Sequence, residues 1–340
     1  MLAVEYNGIN SFLVGISRVL LENGVERNTR GYKCWELPEP VMIKIKDPLS
    51  RWVTIPERKW NMFLPYAESL WLASGRNDLD LVKYYLPRME EFSDDRAFLR
   101  GGYGPRLRSY NGNAIDYTKS NNSGESKFCE SKVDQFLYIT EKFKQDPYTR
   151  QAIITIGDPS KDCFDENNKL KQTKDLPCTR TLQFMKNSLT NKLDLTVYVR
   201  SNDFIWGATA VNIFNYTFMQ EYIASIIGLE VGSYFHIVNN LHYYEYHKAM
   251  VEQLANVDKV EDSSFCYNKT FHSLSEFDSQ LKKLERLESD LRTGSTNVLE
   301  EFNDDFFNDW AKILFLKIKK ENKGFVNQTL NFLANKISIQ

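Results

Sequence analysis

Segments with strand periodicity and segments with helix periodicity interleave along this chain, so the sequence predicts a protein of mixed α and β structure. Three observations carry that expectation. Apolar and polar residues alternate at 40–46 (PVMIKIK) and 193–199 (LDLTVYV), as half-buried strands require. Apolar residues recur at helical spacing over 9–23 and 211–227. Polar, turn-rich stretches separate these patterns.

Taken in order, the first helix spans 9–23 and stops at Asn23-Gly24. A strand follows at 40–46. The spacing predicts a second helix over 58–74, with Trp60, Phe63, Leu64, Leu70 and Trp71 among its apolar positions and Gly75 closing it. The stretches 111–127 and 160–175 read as exposed loops. Residues 151–156, 181–186 and 193–199 read as strands, and 211–227 as a long, mostly buried helix stopped by Gly228. A short strand at 233–238 precedes a helix expected to start near Asn240. Beyond about 255 the chain becomes charged, glycine-poor and helical, with an aromatic cluster at Phe302, Phe306, Phe307 and Trp310. The change of character divides the chain into 1–255 and a helical C-terminal extension, 256–340.

Composition excludes several classes. The chain has 340 residues, 42% hydrophobic and 26% charged, which suits a globular protein with a sizeable core. Forty-three basic against 45 acidic residues leave a net charge of −2. Without a strong cationic field, free nucleic acid is not the expected ligand. Five widely spaced cysteines with no CxxC pair argue against a disulfide framework and a structural zinc site. Four histidines without an HxxxH pattern give no reason to expect a metal. No apolar run approaches the roughly 18 residues of a membrane span, and the first 20 residues read as an amphipathic helix, not a signal peptide. A reduced, cytoplasmic protein is the expectation.

Chemistry concentrates in a few places. Cys178 lies in LPCTRTLQF, after a polar loop and at the mouth of a strand. It is either inert packing or a nucleophile, and nearby guanidinium charge from Arg180 would raise the thiolate fraction of a group whose ordinary pKa is about 8.5. Arg200-Ser201-Asn202-Asp203 follows a strand and offers donors suited to a phosphate, or merely a polar turn. Asn212 opens a buried helix as a cap, or uses its paired donor and acceptor to read a uracil edge. His242 and Tyr244 could face a ligand or be ordinary buried aromatics. Glu68 sits in the apolar run YAESLWL, where a carboxylate needs a partner or a task.

In order, NTRG, AESLWLASG, GGYGP, DPYTRQAIITI, LPCTRTLQF, VRSND, WGATAVNIFNYTFMQEYIA and GLEVGSYFHIVNNLHYY resemble the thymidylate synthase and deoxynucleotide hydroxymethylase family, from about residue 10 to 250. The resemblance implies an α+β fold, a large mixed sheet flanked by helices, and a homodimer paired through the sheets. It implies that Cys178 adds to C6 of a pyrimidine nucleotide, turning C5 into a carbanion equivalent that attacks 5,10-methylenetetrahydrofolate. By position, Arg30, Arg200 and Ser201 match phosphate-binding groups, and Arg150 matches an arginine given to the partner's site. Glu68 matches the carboxylate that orders water and proton transfers, and Tyr103 the tyrosine that positions a water for removal of the C5 proton. Asn212 matches the amide that reads the base, His242 and Tyr244 the sugar-hydroxyl ligands, and Asp203 and Gly207 the folate side. Asparagine at 212 implies a uracil nucleotide, dUMP.

The chain departs from that pattern at several points. Thr179 stands where histidine usually follows the cysteine, and Gln151 replaces a second arginine. WGATAVN is one residue longer than usual and brings Trp206 to the folate side. No tryptophan occurs near Met89–Phe92, and the sequence ends in ANKISIQ where the family has a short apolar closing terminus. Hydride transfer to the methylene intermediate needs a dry, closed site. These departures therefore favour capture by water and a 5-hydroxymethyl product over dTMP with dihydrofolate. A noncatalytic nucleotide-binding homologue and a Cys178–His242–Asn240 hydrolase are the readings from other classes.

Overall fold

The structure, a computed structural model, describes residues 2–29, 31–110 and 132–337. The expected loop at 111–127 lies outside the described residues. A six-stranded mixed sheet forms the frame, in the order β1 (Leu2–Tyr6), β4 (Val41–Ile45), β9 (Val231–Val238), β7 (Leu193–Val199), β6 (Thr179–Lys186), β5 (Ile153–Thr155). The β1–β4 and β7–β9 pairs are parallel and the others antiparallel. A second sheet, not expected from the sequence, joins β2 (Val25–Thr29), β3 (Tyr32–Glu36), β10 (Leu241–Tyr244) and β8 (Asn202–Asp203).

Alternation along the strands decides which face is covered. On β7, Leu193, Leu195, Val197 and Val199 are buried, while Asp194, Thr196 and Tyr198 point the other way. Helices α1 (Ile9–Asn23) and α7 (Ile213–Ile226) pack on this frame, with α2 (Phe63–Ala73) against α7. Between them lie the short helices α3 (Leu79–Tyr85), α4 (Tyr103–Arg108), α5 (Gln135–Gln145) and α6 (Pro159–Asp162). Helix α7 is buried nearly all round, as its apolar run requires. It ends before Gly228, whose φ of 71° lies in the left-handed region that favours glycine.

The tail packs into the same hydrophobic core. After α8 (Lys248–Ala255) come α9 (Leu274–Thr293), α10 (Asp305–Lys319) and α11 (Gln328–Ile337). Phe306 stacks on Phe218 of α7 at 4.5 Å, and Tyr222 stacks on Phe277 at 4.5 Å. Trp310 is fully buried and its indole N–H donates to the Tyr66 carbonyl at 2.9 Å. Asp262 accepts from the N–H groups of Gly8, Asn10 and Ser11 (3.0, 2.8 and 3.2 Å), so a tail carboxylate joins Ser11 Oγ at Gly8 and caps the Asn10 and Ser11 N–H groups at the start of α1. Buried Glu221 of α7 is paired with both Arg51 and Lys269, at 2.6 and 2.8 Å.

Two elements differ from expectation. The second helix starts at Phe63, because Trp60 leaves the helical path to donate its indole N–H to the Ala210 carbonyl at 2.9 Å. No helix starts at Asn240: residues 241–244 form β10, pairing with Glu36, Trp35 and Cys34 of β3, and the helix begins at Lys248. Within 160–175 most residues are exposed, but Lys161 and Asp162 are buried in a charged cluster with Asp158, Arg100 and Arg106.

Candidate active site

Cys178 lies at the entry to β6, half-buried. Its backbone N–H and that of Thr179 both donate to the Tyr103 hydroxyl, each at 3.2 Å, so the first residue of α4 holds the peptide that carries the thiol. The loop before it is gripped from the other side. Arg200 donates through Nε to the Pro177 carbonyl (3.0 Å) and through Nη2 to the Leu176 carbonyl (2.9 Å), and its own N–H meets the Cys178 carbonyl. Arg200 therefore sets a guanidinium against the loop that leads into the cysteine. Arg180, the sequence neighbour, is turned to Asp162, 3.6 Å away. Burial, and then the proximity of Cys178, push the Tyr103 hydroxyl up to about 12, so it stays protonated.

The segment after Arg200 carries five of the expected site residues, Ser201, Asp203, Trp206, Gly207 and Asn212. Asp203 Oδ1 accepts from the N–H groups of Ile205 and Trp206 at 2.8 and 2.9 Å, opening a π-helical run, Phe204–Asn212. The wide turn absorbs the extra residue of WGATAVN: Ile213 N–H bonds back five positions to the Ala208 carbonyl. Trp206 is stacked on Phe92 (6.3 Å, 25°), with the Arg88 guanidinium 5.0 Å over its ring. The region that lacks a tryptophan thus meets Trp206. A Cβ at Gly207 would overlap Asn202 Nδ2 and come within 3.2 Å of Asn212 Oδ1, so only glycine fits this close approach.

Asn212 stands at the start of α7 but makes no side-chain capping bond. Its amide meets the Tyr216 hydroxyl, which in turn bonds Thr179 Oγ1 at 2.5 Å. Nucleophile and amide are thus linked through the Cys178–Thr179 peptide and the Thr179–Tyr216 hydrogen bond, with Tyr216 beside Asn212 and Thr179 standing where the family pattern has histidine.

A separate network orients the sugar-side candidates. Asn240 Nδ2 donates to Glu36 Oε2 at 2.7 Å, which turns its Oδ1 toward both Ser201 Oγ (3.3 Å) and His242 Nδ1 (2.9 Å). A carbonyl oxygen facing Nδ1 requires the proton there, leaving Nε2 as an acceptor. Burial holds His242 below its ordinary value, the opposing charge of Asp203 being weaker. Tyr244 packs edge-on to His242 at 5.2 Å. Glu68, on α2, accepts from Asn215 Nδ2 at 3.0 Å, and burial raises it to about 7 despite that bond.

Two candidates stand apart. Arg150 is exposed before β5, and no contact among the described residues joins it to Cys178. Arg30 lies outside the described residues. Conversely, His236, Tyr216 and Asn215 carry no signal in the sequence, and Asn202 reads there only as part of a phosphate-binding or polar turn. Asn202 sits inside the quoted RSND, but its partner His236 is 34 positions away, and no local pattern joins them.

The thymidylate synthase family model matches residues 12–288. This chain belongs to the thymidylate synthase family. Among its relatives, a deoxyuridylate hydroxymethyltransferase of Bacillus phage SP01 is 36% identical over 244 residues, covering 71% of this chain and 59% of the relative. One of Pseudomonas phage M6 is 33% identical over 222 residues, 65% and 56% of the two chains. A thymidylate synthase of Bacillus mojavensis is 26% identical over 195 residues, 57% and 61%. The chain spans less than three fifths of the length of these two phage relatives.

Proposed function

We propose that this thymidylate synthase family member transfers a one-carbon unit from 5,10-methylenetetrahydrofolate to C5 of dUMP and that water completes the reaction, giving 5-hydroxymethyl-dUMP. The observation that carries the reading is the Cys178–Thr179–Tyr216–Asn212 chain, which holds a nucleophile and an uncapped amide on one frame. The greater identity to proteins named for hydroxymethyl transfer supports the product.

In this reading the Cys178 thiolate adds to C6 and C5 gains the carbanion character that attacks the donor's one-carbon unit. The folate supplies that carbon at the oxidation level of formaldehyde. Tyr103, already holding the Cys178 peptide, has its own proton left to orient water at the C5 hydrogen. Glu68, poised near neutrality, exchanges protons with the water that attacks the methylene carbon. Loss of the C5 proton releases tetrahydrofolate and leaves an exocyclic methylene on the nucleotide; once water has added there, expulsion of the thiolate from C6 restores the ring. Asn212 spans the O4/N3–H edge, His242 Nε2 accepts from the sugar hydroxyl with Tyr244 beside it, and Arg200 and Ser201 face the phosphate.

The folate side fits the residues present. Asp203 uses only Oδ1 for capping, which leaves Oδ2 for a pterin N–H donor, and the Trp206–Phe92 stack offers an aromatic wall. That wall also favours a second reading, a closed site that completes hydride transfer and makes dTMP. A homodimer is part of the proposal. The sheet face turned away from α7 presents Met42, Ile153, Met185, Tyr198, Phe235 and Ile237, of which Ile153, Met185 and Tyr198 are more than a third exposed. Pairing there would cover that face and let Arg150 reach the other subunit's phosphate.

The test is one incubation with dUMP and methylenetetrahydrofolate, followed by mass spectrometry and dihydrofolate absorbance. A product heavier by CH2O without dihydrofolate is expected. One heavier by CH2 with matching dihydrofolate establishes the second reading.

A further inference from the structure

An asparagine amide can read either pyrimidine. In one sense it donates to O4 and accepts from N3–H of uracil; flipped, it accepts from the 4-amine and donates to N3 of cytosine. The identity of Asn212 therefore cannot choose the base unless something fixes the sense of its amide.

The surroundings of Asn212 supply such a lock. On one side is the Tyr216 hydroxyl. On the other, Asn212 Oδ1 and Asn202 Nδ2 both border the open side of Gly207. Asn202 is 4% exposed, and its Nδ2 has no hydrogen-bond partner among the described residues. Its Oδ1 is taken by His236 Nε2 at 2.9 Å, and His236 Nδ1 meets the Tyr234 hydroxyl at 2.8 Å. Both Tyr234 and His236 are fully buried on the helix-facing side of β9. Burial drives the imidazole down to about 3, so it is neutral and carries one ring proton. The consistent arrangement is Tyr234 O–H to Nδ1, Nε2–H to Asn202 Oδ1, and Asn202 Nδ2–H toward Asn212 Oδ1. Reversed, two carbonyl oxygens would face each other across Gly207.

We propose that Tyr234, His236 and Asn202 form a positioning relay that locks Asn212 in its uracil-reading sense, so that base specificity is set by Asn202 as well as Asn212. The inference rests on the reading of Asn212 as the base-facing residue. Once Asn202 Nδ2 engages Asn212 Oδ1, with Tyr216 at the other end of the amide, one N–H and one lone pair remain for the base, in the order uracil needs.

Asn202→Asp tests it most directly. The carboxylate keeps one oxygen on His236 Nε2–H and turns the other, an acceptor, toward Asn212. The amide should flip, and the ratio of dUMP to dCMP affinity, measured by calorimetry, should move toward dCMP by about tenfold to a hundredfold, the worth of a reversed bidentate contact. A second pair guards against misfolding: His236→Gln, which retains a donor for Asn202, should preserve the ratio, whereas His236→Leu should bring it toward unity. A ratio unchanged in both N202D and H236L, with dUMP still bound by the wild type, overturns the relay alone. A wild-type protein that binds neither nucleotide overturns the function reading and the relay with it.

Discussion

Replacing Glu68 by glutamine should stabilise the protein and do so only above acid pH. The Glu68 carboxyl lies in the apolar surroundings of α2, with Asn215 Nδ2 its described donor, and is raised from 4.5 to about 7. A carboxyl whose value is higher in the folded chain holds its proton more tightly there. The stability this provides is fully present below the ordinary value and is lost as pH climbs through about 7. At about pH 8.5 the folded protein therefore carries an ionised, poorly solvated carboxylate at a cost of about 3 kcal/mol, and at about pH 5 less than about 1 kcal/mol. Glutamine keeps a carbonyl oxygen for Asn215 and has no charge to desolvate. Urea unfolding of E68Q and wild type at both pH values should show a gain of about 3 kcal/mol at the higher pH that nearly disappears at the lower, while turnover collapses. An equal effect at both pH values, or a loss of stability at pH 8.5, would refute the assignment of a strained acid awaiting a proton transfer.

Other perturbations separate roles that the sequence leaves merged. Arg200→Lys removes the fork that holds the Leu176 and Pro177 carbonyls. It should lower kcat by on the order of a hundredfold and slow alkylation of Cys178; a rise in KM with kcat intact would mean that Arg200 only binds phosphate. Asn212→Asp should shift turnover toward the cytosine nucleotide, and an unchanged preference would show that the amide does not face the base. Trp310→Ala, at a fully buried position bonded to Tyr66, should cost about 3–5 kcal/mol in denaturant unfolding; a loss below about 1 kcal/mol would mean the tail folds apart from the core.

Legibility in the sequence followed how local the deciding interaction is. The first helix and its stop at Asn23-Gly24 were readable because periodicity and a terminator lie in one window. The strand at Leu193–Val199 was readable because a sheet covered on one face imposes a period of two. The start of the second helix was missed because Trp60 is drawn away by Ala210, 150 residues on. The strand at Leu241–Tyr244 was read as helix because its pairing partner, Tyr32–Glu36, lies some 200 residues earlier. The site divides the same way. Cys178, Arg200 and Asn212 stand out from their neighbours, but the sequence points to Arg180 as the charge beside the cysteine, whereas the fold turns it to Asp162 and brings in Arg200. Asn202 and His236 look ordinary until the crossing from β7 to β8 sets them side by side.

The central claim is that water, not hydride, completes the reaction at C5. Running the reaction with dUMP and methylenetetrahydrofolate in heavy-oxygen water tests it most directly. The account predicts one heavy oxygen in the nucleotide's new C5 substituent and no dihydrofolate. A product with an unlabelled methyl group and one dihydrofolate per turnover would contradict it.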